Sequence, residues 1–449
     1  MRQLNKRRLA SFVLAVAASA FVGAFGVGRG HETDRVEPVK TDAAKIKHVF
    51  VIVLENKNYD DTFGTSTQDP YLQKTLVPMG ALLRQYYGTG HVSLDNYLSM
   101  ISGQAATQDT DNDCMSGFNA AMPNFNDVNQ IGTTADGQVI ANGGCIYGKD
   151  IKTLADQLQE RGLTWKGYME DMGNDPARES AACGHPTIGI ATDRTNAFEA
   201  PSAAVPQGDG YATRHNPFAY FHSIIDSPSC ATKVVNLTQL TADLESLETT
   251  PNYVFITPNL CNDGHDGSGT GEKGKTCVNG EPGGLTSADA FLKKWVPKIL
   301  ASRAYQQDGL IVITFDEGNY TLSSETDPAT GQKKVDITFP GESCCSQQPG
   351  PNLSGVRPSR HTFVNTPALV QSFVINGFGG DRIGAVLLSR FVKPGTVSDT
   401  PYNHYSLLRS LEDIFQLKSH LGYAANHPEA HYVLSTIGDD TAVFKARGK

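Results

Sequence analysis

Short apolar runs that end in polar residues constrain the fold of this chain most strongly. The first run, Val49–Leu54, is followed at once by Glu55 and Asn56. Six apolar residues are too few to span a membrane, and their β-branched content predicts a buried strand of a parallel sheet. The carboxyl end of such a strand is where open α/β proteins keep their sites. We predict that Glu55 and Asn56 bind a divalent metal ion. The alternative is that Glu55 caps a helix while Asn56 and Lys57 turn the chain.

A second apolar run, Tyr253–Thr257, repeats this arrangement. The loop after it contains Asp263 and His265, which are two residues apart. In an extended loop their side chains share one face and can converge on a metal ion or a phosphate. The alternative is a turn, because Asn-Asp-Gly is strongly turn-forming, with a surface histidine after it.

The third run, Leu310–Phe315, leads directly into Asp316 and Glu317. Two adjacent acids at the end of a buried strand repel each other unless a cation lies nearby, so we predict that both bind metal. Together with Glu55 and Asn56 they form an oxygen-rich set that suits Ca²⁺ or Mg²⁺. Histidine ligands would also admit zinc or iron, so the sequence leaves the identity of the metal open.

The order of these patterns predicts the fold class. Strands and helices alternate, with acids at the strand exits, which is typical of a three-layer α/β sandwich around a mainly parallel sheet. The long segment 319–360 reads as an insertion that forms a lid or a specificity loop. Helices are also predicted at 71–84, 151–161 and 287–301, and the last is capped by Ser287 or Thr286. Another predicted helix begins near residue 404 and is capped by Thr400 or Asn403. Two further strands are predicted at 164–172 and 383–389.

The segment 88–103 carries the candidate nucleophile. Apolar residues at helical spacing follow Ser93, and serine is a favoured N-cap residue. The N-terminus of a helix attracts phosphate through its free N–H groups and its dipole. We therefore interpret Ser93 as a nucleophile activated by the metal, with the Asn96 amide holding a phosphoryl oxygen. The alternative is a serine that only caps the helix.

Charge limits the class of partner. The 449 residues include 38 basic and 47 acidic side chains, which gives a formal net charge of -9. This balance argues against a nucleic-acid partner held by phosphate contacts. The sequence does not indicate a stable protein partner.

The N-terminus has the pattern of an export signal. A basic start, an apolar stretch and the small residues Ala18–Ala20 predict a signal peptide over residues 1–30, and the alternative is an uncleaved membrane anchor. Residues 31–44 are predicted to be a flexible leader and residues 45–449 a single domain. We expect a secreted or periplasmic protein.

Eight cysteines agree with an oxidising compartment. Their even number and their spacing favour disulfides over a zinc site. We expect Cys344 and Cys345 to have different partners, because a bridge between adjacent residues is strained. The spacing does not determine the connectivity.

Five ordered motifs resemble a known family. The chain is similar to the bacterial and fungal phosphoesterases that include secreted acid phosphatases and phospholipases C, within the alkaline-phosphatase-like superfamily. The similar segments are LENKNYDDTFG at 54–64, SLDNYLSMISG at 93–103, PNLCNDGHD at 258–266, TFDEG at 314–318 and YNHYSLLRSLEDIF at 402–415.

The resemblance implies roles for several residues. It implies that Ser93 is the nucleophile, with His91 two residues before it. The segment RHNPF suggests that His215 donates to a phosphoryl oxygen or to the leaving group, with Arg214 beside it to bind phosphate. It also implies that His404 belongs to the metal site.

These observations together predict a metal-dependent phosphoesterase. We expect it to hydrolyse phosphomonoesters through a phosphoserine intermediate, with a small phosphorylated substrate or a phospholipid head group as its ligand. One alternative is a phosphodiesterase of the phospholipase C type. The other is an inactive exported protein that binds phosphate or metal.

Overall fold

The first predicted strand is the centre of the main sheet. In the computed structural model, which describes residues 41–65, 67–114, 125–190, 194–353, 355–425 and 434–446, it runs over His48–Leu54 and is buried along its whole length. It pairs in parallel with Tyr253–Thr257 on one side and with Gly309–Phe315 on the other. The three predicted strands therefore lie side by side, and their carboxyl ends meet at one edge.

In the described part of the chain, the main sheet has eight strands in the order β15-β2-β14-β9-β1-β8-β6-β7, and a second sheet has four in the order β10-β11-β13-β12. In the main sheet, β14 pairs antiparallel with β9 and β2, and the other pairs are parallel. The strands are β1 (His48–Leu54), β2 (Ala81–Leu83), β3 (Tyr86–Tyr87), β4 (Gln130–Thr133), β5 (Val139–Ala141), β6 (Trp165–Met169), β7 (Val234–Asn236), β8 (Tyr253–Thr257), β9 (Gly309–Phe315), β10 (Thr321–Thr326), β11 (Lys333–Phe339), β12 (Ser359–Thr366), β13 (Leu369–Ile375), β14 (Ala385–Leu388), β15 (Thr396–Ser398) and β16 (Tyr402–Asn403).

Helices flank the main sheet and complete the α/β fold that the sequence predicts. They are α1 (Tyr59–Phe63), α2 (Val77–Met79), α3 (Ser93–Ser102), α4 (Leu154–Glu160), α5 (His222–Ile225), α6 (Cys230–Lys233), α7 (Leu240–Asp243), α8 (Gly284–Ala301), α9 (Arg303–Asp308) and α10 (His404–Ile414). All ten residues of α3 are buried. This helix therefore packs inside the molecule and not on its surface.

Two helix predictions need correction. The helix predicted over 71–84 is a π-helical turn, Leu72–Leu76, that continues into α2 and ends at Gly80. The next residues form strand β2, because they pair with β14 and β15 at the end of the main sheet. Helix α8 begins after Gly283, earlier than the predicted cap at Ser287 or Thr286.

The segment 319–360 is more regular than a lid loop. It contributes β10 and β11 to the second sheet, where β11 pairs antiparallel with β10 and in parallel with β13. All six residues of β10 are exposed. The main core extends through the described chain from Ala43 to Phe444, but it contains no side chain of this second sheet that the structure describes.

The disulfides correct one prediction. Three bridges join Cys114 to Cys145, Cys183 to Cys230 and Cys261 to Cys277, and the fourth joins Cys344 to Cys345. The expectation of different partners for the adjacent pair was wrong. The other six cysteines pair among themselves, and the chain turns sharply at Cys345, where φ is 64°.

The predicted signal segment and most of the predicted leader lie outside the described residues. Within the described ranges, no helix is both long enough and apolar enough to cross a membrane.

Candidate functional site

The candidate site lies where β1, β8 and β9 end. Glu55, Asp263 and Asp316 follow these strands, and all three are fully buried. Backbone hydrogen bonds fix their spacing, because Glu55 N donates to Asp263 O at 2.8 Å and Asp316 N donates to Leu54 O at 2.8 Å. The parallel pairing of the strands thus brings together three carboxylates that are far apart in sequence.

His215 joins this carboxylate cluster. One ligand atom each from Glu55, His215 and Asp263 lies within 4.8 Å of the others. His215 Nε2 is 3.2 Å from Glu55 Oε1, but the geometry is not that of a hydrogen bond, and this nitrogen has no hydrogen-bond partner in the described part of the chain. The other ring nitrogen, Nδ1, is 3.9 Å from Asp263 Oδ2. Burial, with Arg214 and His265 nearby, lowers the pKa of His215 well below its ordinary value. A neutral imidazole with a free buried nitrogen is suited to metal coordination.

The carboxylates of this cluster are buried close together, which favours a bound cation. Burial, together with Asp316 and Asp263, raises the pKa of Glu55 well above its ordinary value. Burial likewise raises the pKa of Asp263 and of Asp316. Asp263 Oδ2 and Asp316 Oδ2 are buried without a hydrogen-bond partner. Buried carboxylates are stable only when they are protonated or paired, so this donor set fits a divalent metal ion.

Ser93 lies against these carboxylates. The sequence predicts Ser93 as the N-cap of α3, but Val92 is the N-cap and Ser93 is the first residue of the helix. Its Oγ donates to Glu55 Oε2 at 2.9 Å. The hydroxyl predicted as nucleophile therefore points into the candidate metal site and does not cap its own helix.

Tyr97 and Arg214 surround the serine. Tyr97, one turn along α3, donates from its hydroxyl to Glu55 Oε1 at 2.5 Å and stacks on the His215 ring at 5.2 Å. The start of α3 is held by Asp113, which accepts from Leu94 N at 2.8 Å. Arg214 Nε lies 3.5 Å from the other oxygen of Asp113. A buried guanidinium thus lies beside the cluster.

Asn56 and Glu317 are bonded to each other. Asn56 Nδ2 donates to Glu317 Oε1 at 3.0 Å, and its backbone N–H donates to Asp316 Oδ1 at 2.9 Å. The second oxygen of Glu317 accepts from His91 Nδ1 at 2.7 Å. Burial lowers the pKa of His91, but Glu317 and Asp381 outweigh it and raise this pKa to about 10.

Asn96 does not face the cluster in the way the sequence suggested. Its Oδ1 accepts from the backbone N–H groups of Thr89 and Gly90, at 2.7 and 3.1 Å. Its amide donates to Gly90 O at 3.0 Å and to Asp95 Oδ1 at 2.9 Å. Because both ends of the amide are bonded to these neighbours, Asn96 orders the loop before Ser93 and does not offer a free donor to phosphate.

His404 is also placed differently from the metal-ligand prediction. Its Nε2–H donates to the backbone oxygen of Asp316 at 2.6 Å, and its Nδ1 accepts from the Tyr86 hydroxyl at 3.1 Å. Both nitrogens are therefore occupied, and burial lowers the pKa of this ring to about 4. His404 supports the backbone of a candidate ligand, and its role in the metal site stays a prediction. Asn403, one of the two predicted caps, does cap α10.

His265 lies outside the group of converging ligand atoms. Its backbone N–H donates to Asp263 Oδ1 at 2.8 Å, which orients that carboxylate. Burial, together with Lys57 and Arg214, lowers the pKa of the His265 ring to about 3. Its role as a metal ligand stays a prediction.

Sequence reasoning missed Tyr97, Asp113 and Asp381. Tyr97 was read only as an apolar residue of the helix, although its position one turn after Ser93 places its hydroxyl at the same end of the helix. Asp113 and Asp381 lie in loops and come next to the site only through the tertiary fold. A pattern local to either residue could not have identified it.

Comparisons with known proteins agree with the motif resemblance. The model of the Phosphoesterase family matches residues 66–418. A probable acid phosphatase of Kluyveromyces lactis is 23% identical over 276 residues, which are 62% of this chain and 48% of that protein. A phosphatidylinositol-3-phosphatase of Mycobacterium tuberculosis is 22% identical over 381 residues, which are 85% of this chain and 80% of that protein. The chain thus spans about half of the yeast relative.

Among solved structures, a protein of the alkaline phosphatase superfamily from Vibrio parahaemolyticus matches with a TM-score of 0.43 and 11% identity. The match covers 88% of this chain and 72% of that one.

Proposed function

Because the chain belongs to the Phosphoesterase family, we propose that it is a metal-dependent hydrolase of phosphomonoesters with Ser93 as its nucleophile. The observation that carries this proposal is the Ser93 hydroxyl, which donates at 2.9 Å to Glu55 within a buried cluster of carboxylates. A serine that only caps a helix would accept a hydrogen bond from a backbone N–H of that helix, whereas Ser93 Oγ donates to Glu55.

The residues that would hold the metal are Glu55, Asp263, Asp316 and His215. Bound there, a divalent cation would lower the pKa of the serine hydroxyl and offset charge on the phosphoryl group. The oxygen-rich set favours Ca²⁺ or Mg²⁺, and His215 also admits Zn²⁺.

Each step of the reaction can be given to a residue of this chain. Ser93 Oγ attacks phosphorus in line, an Oγ–P bond forms, and the bond from phosphorus to the leaving oxygen breaks. Glu55 Oε2 accepts the hydrogen bond from Ser93 and is the first acceptor for its proton. The leaving oxygen takes up this proton. Water then hydrolyses the phosphoserine: its oxygen bonds to phosphorus, the Oγ–P bond breaks, and a proton from the water returns to Ser93 Oγ. Arg214 is the buried cation that can face the phosphoryl oxygens in both steps.

The substrate is proposed from the relatives. An acid phosphatase and a phosphatidylinositol-3-phosphatase both release phosphate from monoesters, so we assign the monoester reaction to this chain. The ligand would be a small phosphorylated compound or a phospholipid head group. The diesterase and inactive-protein alternatives are outcomes of the test below.

The test compares hydrolysis of p-nitrophenyl phosphate with that of bis-p-nitrophenyl phosphate, each with and without a chelator. We expect release from the monoester that the chelator stops. Ser93→Ala should lower turnover by roughly 10³-fold or more. Its metal content and melting temperature should stay near those of the wild type.

Ser102→Ala is the matched control, since Ser102 lies on the same helix but donates only to Leu98 O. Equal turnover in the wild type and in Ser93→Ala would overturn the assignment of Ser93 as the nucleophile. Diester preference would instead identify a phosphodiesterase, and no release from either ester would identify a binding protein.

We further propose that residues 45–449 form one domain and that the protein is exported. One continuous core supports the first proposal. Four disulfides support the second, because such bridges persist in oxidising compartments.

A further inference from the structure

A buried aspartate at the base of the second sheet is connected to the candidate metal site by hydrogen bonds through other side chains. Asp381 follows β13 and is 4% exposed. Its φ is 63°, a left-handed conformation that is uncommon for a residue other than glycine. Asp381 is not among the predicted site residues and takes part in no proposed catalytic step, so its burial needs another explanation.

Asp381 holds one side of His91. His91 Nε2 donates to Asp381 Oδ2 at 3.0 Å, while Nδ1 donates to Glu317 Oε2 at 2.7 Å. The imidazole is fully buried, and the Phe339 ring lies 5.0 Å from it. With both nitrogens bonded and one face covered, this ring has a single orientation.

The contacts continue on both sides of this pair. Glu317 Oε1 accepts from the Asn56 amide at 3.0 Å, so His91 and Asn56 together fix both oxygens of Glu317. At the other end, Asp381 Oδ1 accepts from Glu342 N at 2.6 Å. A continuous chain of hydrogen bonds therefore joins the base of the second sheet to the residues that follow β1 and β9.

The packing around Asp381 is close. A Cβ atom added to Gly318, the residue after Glu317, would lie 2.8 Å from the Asp381 Cβ. This distance is too short for an unstrained contact, so the glycine allows Asp381 to pack against the backbone beside the candidate ligands.

We propose that Asp381 is a positioning residue for the metal site. Through His91 it holds Glu317, and through Glu317 it holds Asn56. The backbone N–H of Asn56 donates at 2.9 Å to Asp316 Oδ1, so this chain of contacts orients one of the residues proposed to hold the divalent ion. Groups behind the direct ligands commonly control metal affinity in this way. The inference rests on the proposed metal dependence and adds a residue that does not contact metal or substrate.

The experiment measures the binding of Mg²⁺, Ca²⁺, Mn²⁺ and Zn²⁺ to the full chain by calorimetry, so it does not depend on activity. For the ion that the wild type binds, Asp381→Ala should weaken affinity about 10–100-fold. Asp381→Asn keeps an oxygen for Glu342 N–H and a polar contact to His91, so it should recover part of this loss. Saturating metal should restore kcat in both variants.

Asp336→Asn is the control, because this aspartate of the second sheet pairs with Arg360, whereas Asp381 pairs with His91. It should leave metal affinity unchanged. If Asp381→Ala does not fold, Asp381→Asn alone decides, and wild-type affinity in either variant overturns the inference. The proposed function fails separately, since a wild type that binds none of the four ions removes the metal site itself.

Discussion

The main sheet and the second sheet differ in composition and in burial, since β1 reads HVFVIVL and β10 reads TLSSET. In the main sheet β1 and β9 are buried along all seven of their residues, whereas β10 of the second sheet is exposed along all six. The main sheet has partners on both faces, but the described side chains of the second sheet are outside both core clusters. The difference shows that an apolar run marks a strand covered on both faces, whereas a polar strand such as β10 stays exposed.

The same contrast applies to the acids. Burial raises the pKa of Glu317, at the end of β9, to about 8, even with His91 against it. On the second sheet the hydrogen bond from Arg360 lowers the pKa of Asp336. The ionised form of an acid at the end of a buried strand is therefore disfavoured unless a cation lies beside it. On the second sheet the ionised form of Asp336 is already stabilised by its hydrogen bond from Arg360.

The largest expected effect is from removing one buried carboxylate. Asp263→Asn should abolish tight metal binding and lower turnover by more than about 100-fold, because even groups behind the ligands change affinity 10–100-fold. The same substitution should raise the melting temperature of the chelated protein, since it removes repulsion between Asp263 and Glu55.

Metal analysis and thermal melts with and without chelator check both parts of this prediction. Asp336→Asn should change neither quantity. A chelated Asp263→Asn protein that melts below the chelated wild type would contradict the repulsion argument.

A smaller effect is expected from shortening an apolar side chain in each sheet. Ile52→Ala in β1 removes a fully buried side chain and should cost about 2–5 kcal/mol of unfolding free energy. Leu322→Ala in β10, where the side chain is 65% exposed, should stay within about 0.5 kcal/mol of the wild type. Denaturant unfolding measures both, and equal losses would show that the second sheet is covered in solution.

A further expected effect is a change in the pH dependence of stability, which is small at any one pH near 5. Burial raises the pKa of Glu412 in α10 from 4.5 to about 8. Between pH 4.5 and pH 8 the folded protein keeps the proton on Glu412, whereas the unfolded chain loses it. The contribution of this group to the unfolding free energy is therefore full below pH 4.5 and is lost as the pH rises towards 8. The slope is on the order of 1 kcal/mol per pH unit. Glu412→Gln removes this slope.

Unfolding at pH 5, 6.5 and 8 should show the variant gaining on the wild type as the pH rises. Metal content must be the same in each sample. A constant difference across the three values would place the Glu412 pKa near its ordinary value.

The centre of the fold could be predicted from sequence because it depends on local patterns. The strands β1, β8 and β9 were found from apolar runs, and the rule that parallel strands share an edge brought Glu55, Asp263 and Asp316 together. The alternation of strands and helices was sufficient for the fold class.

The rest depends on choices between partners that the sequence does not show. His404 and Asn96 are near the site, but each bonds to backbone groups that only the folded chain places there. Asp381 comes into contact with His91 across 290 positions of the chain. The segment 319–360 was predicted to be a loop because β10 and β11 have no buried residue, so apolar runs do not mark these strands.

Helix α3 is enclosed along all ten of its residues, and Ser93 is its first. A side chain at the end of so enclosed an element cannot shift to suit ligands of different size, so adaptation to new substrates has to occur in other segments around the site. Evolution or protein engineering could therefore alter selectivity through those segments while the reactive group stays where it is.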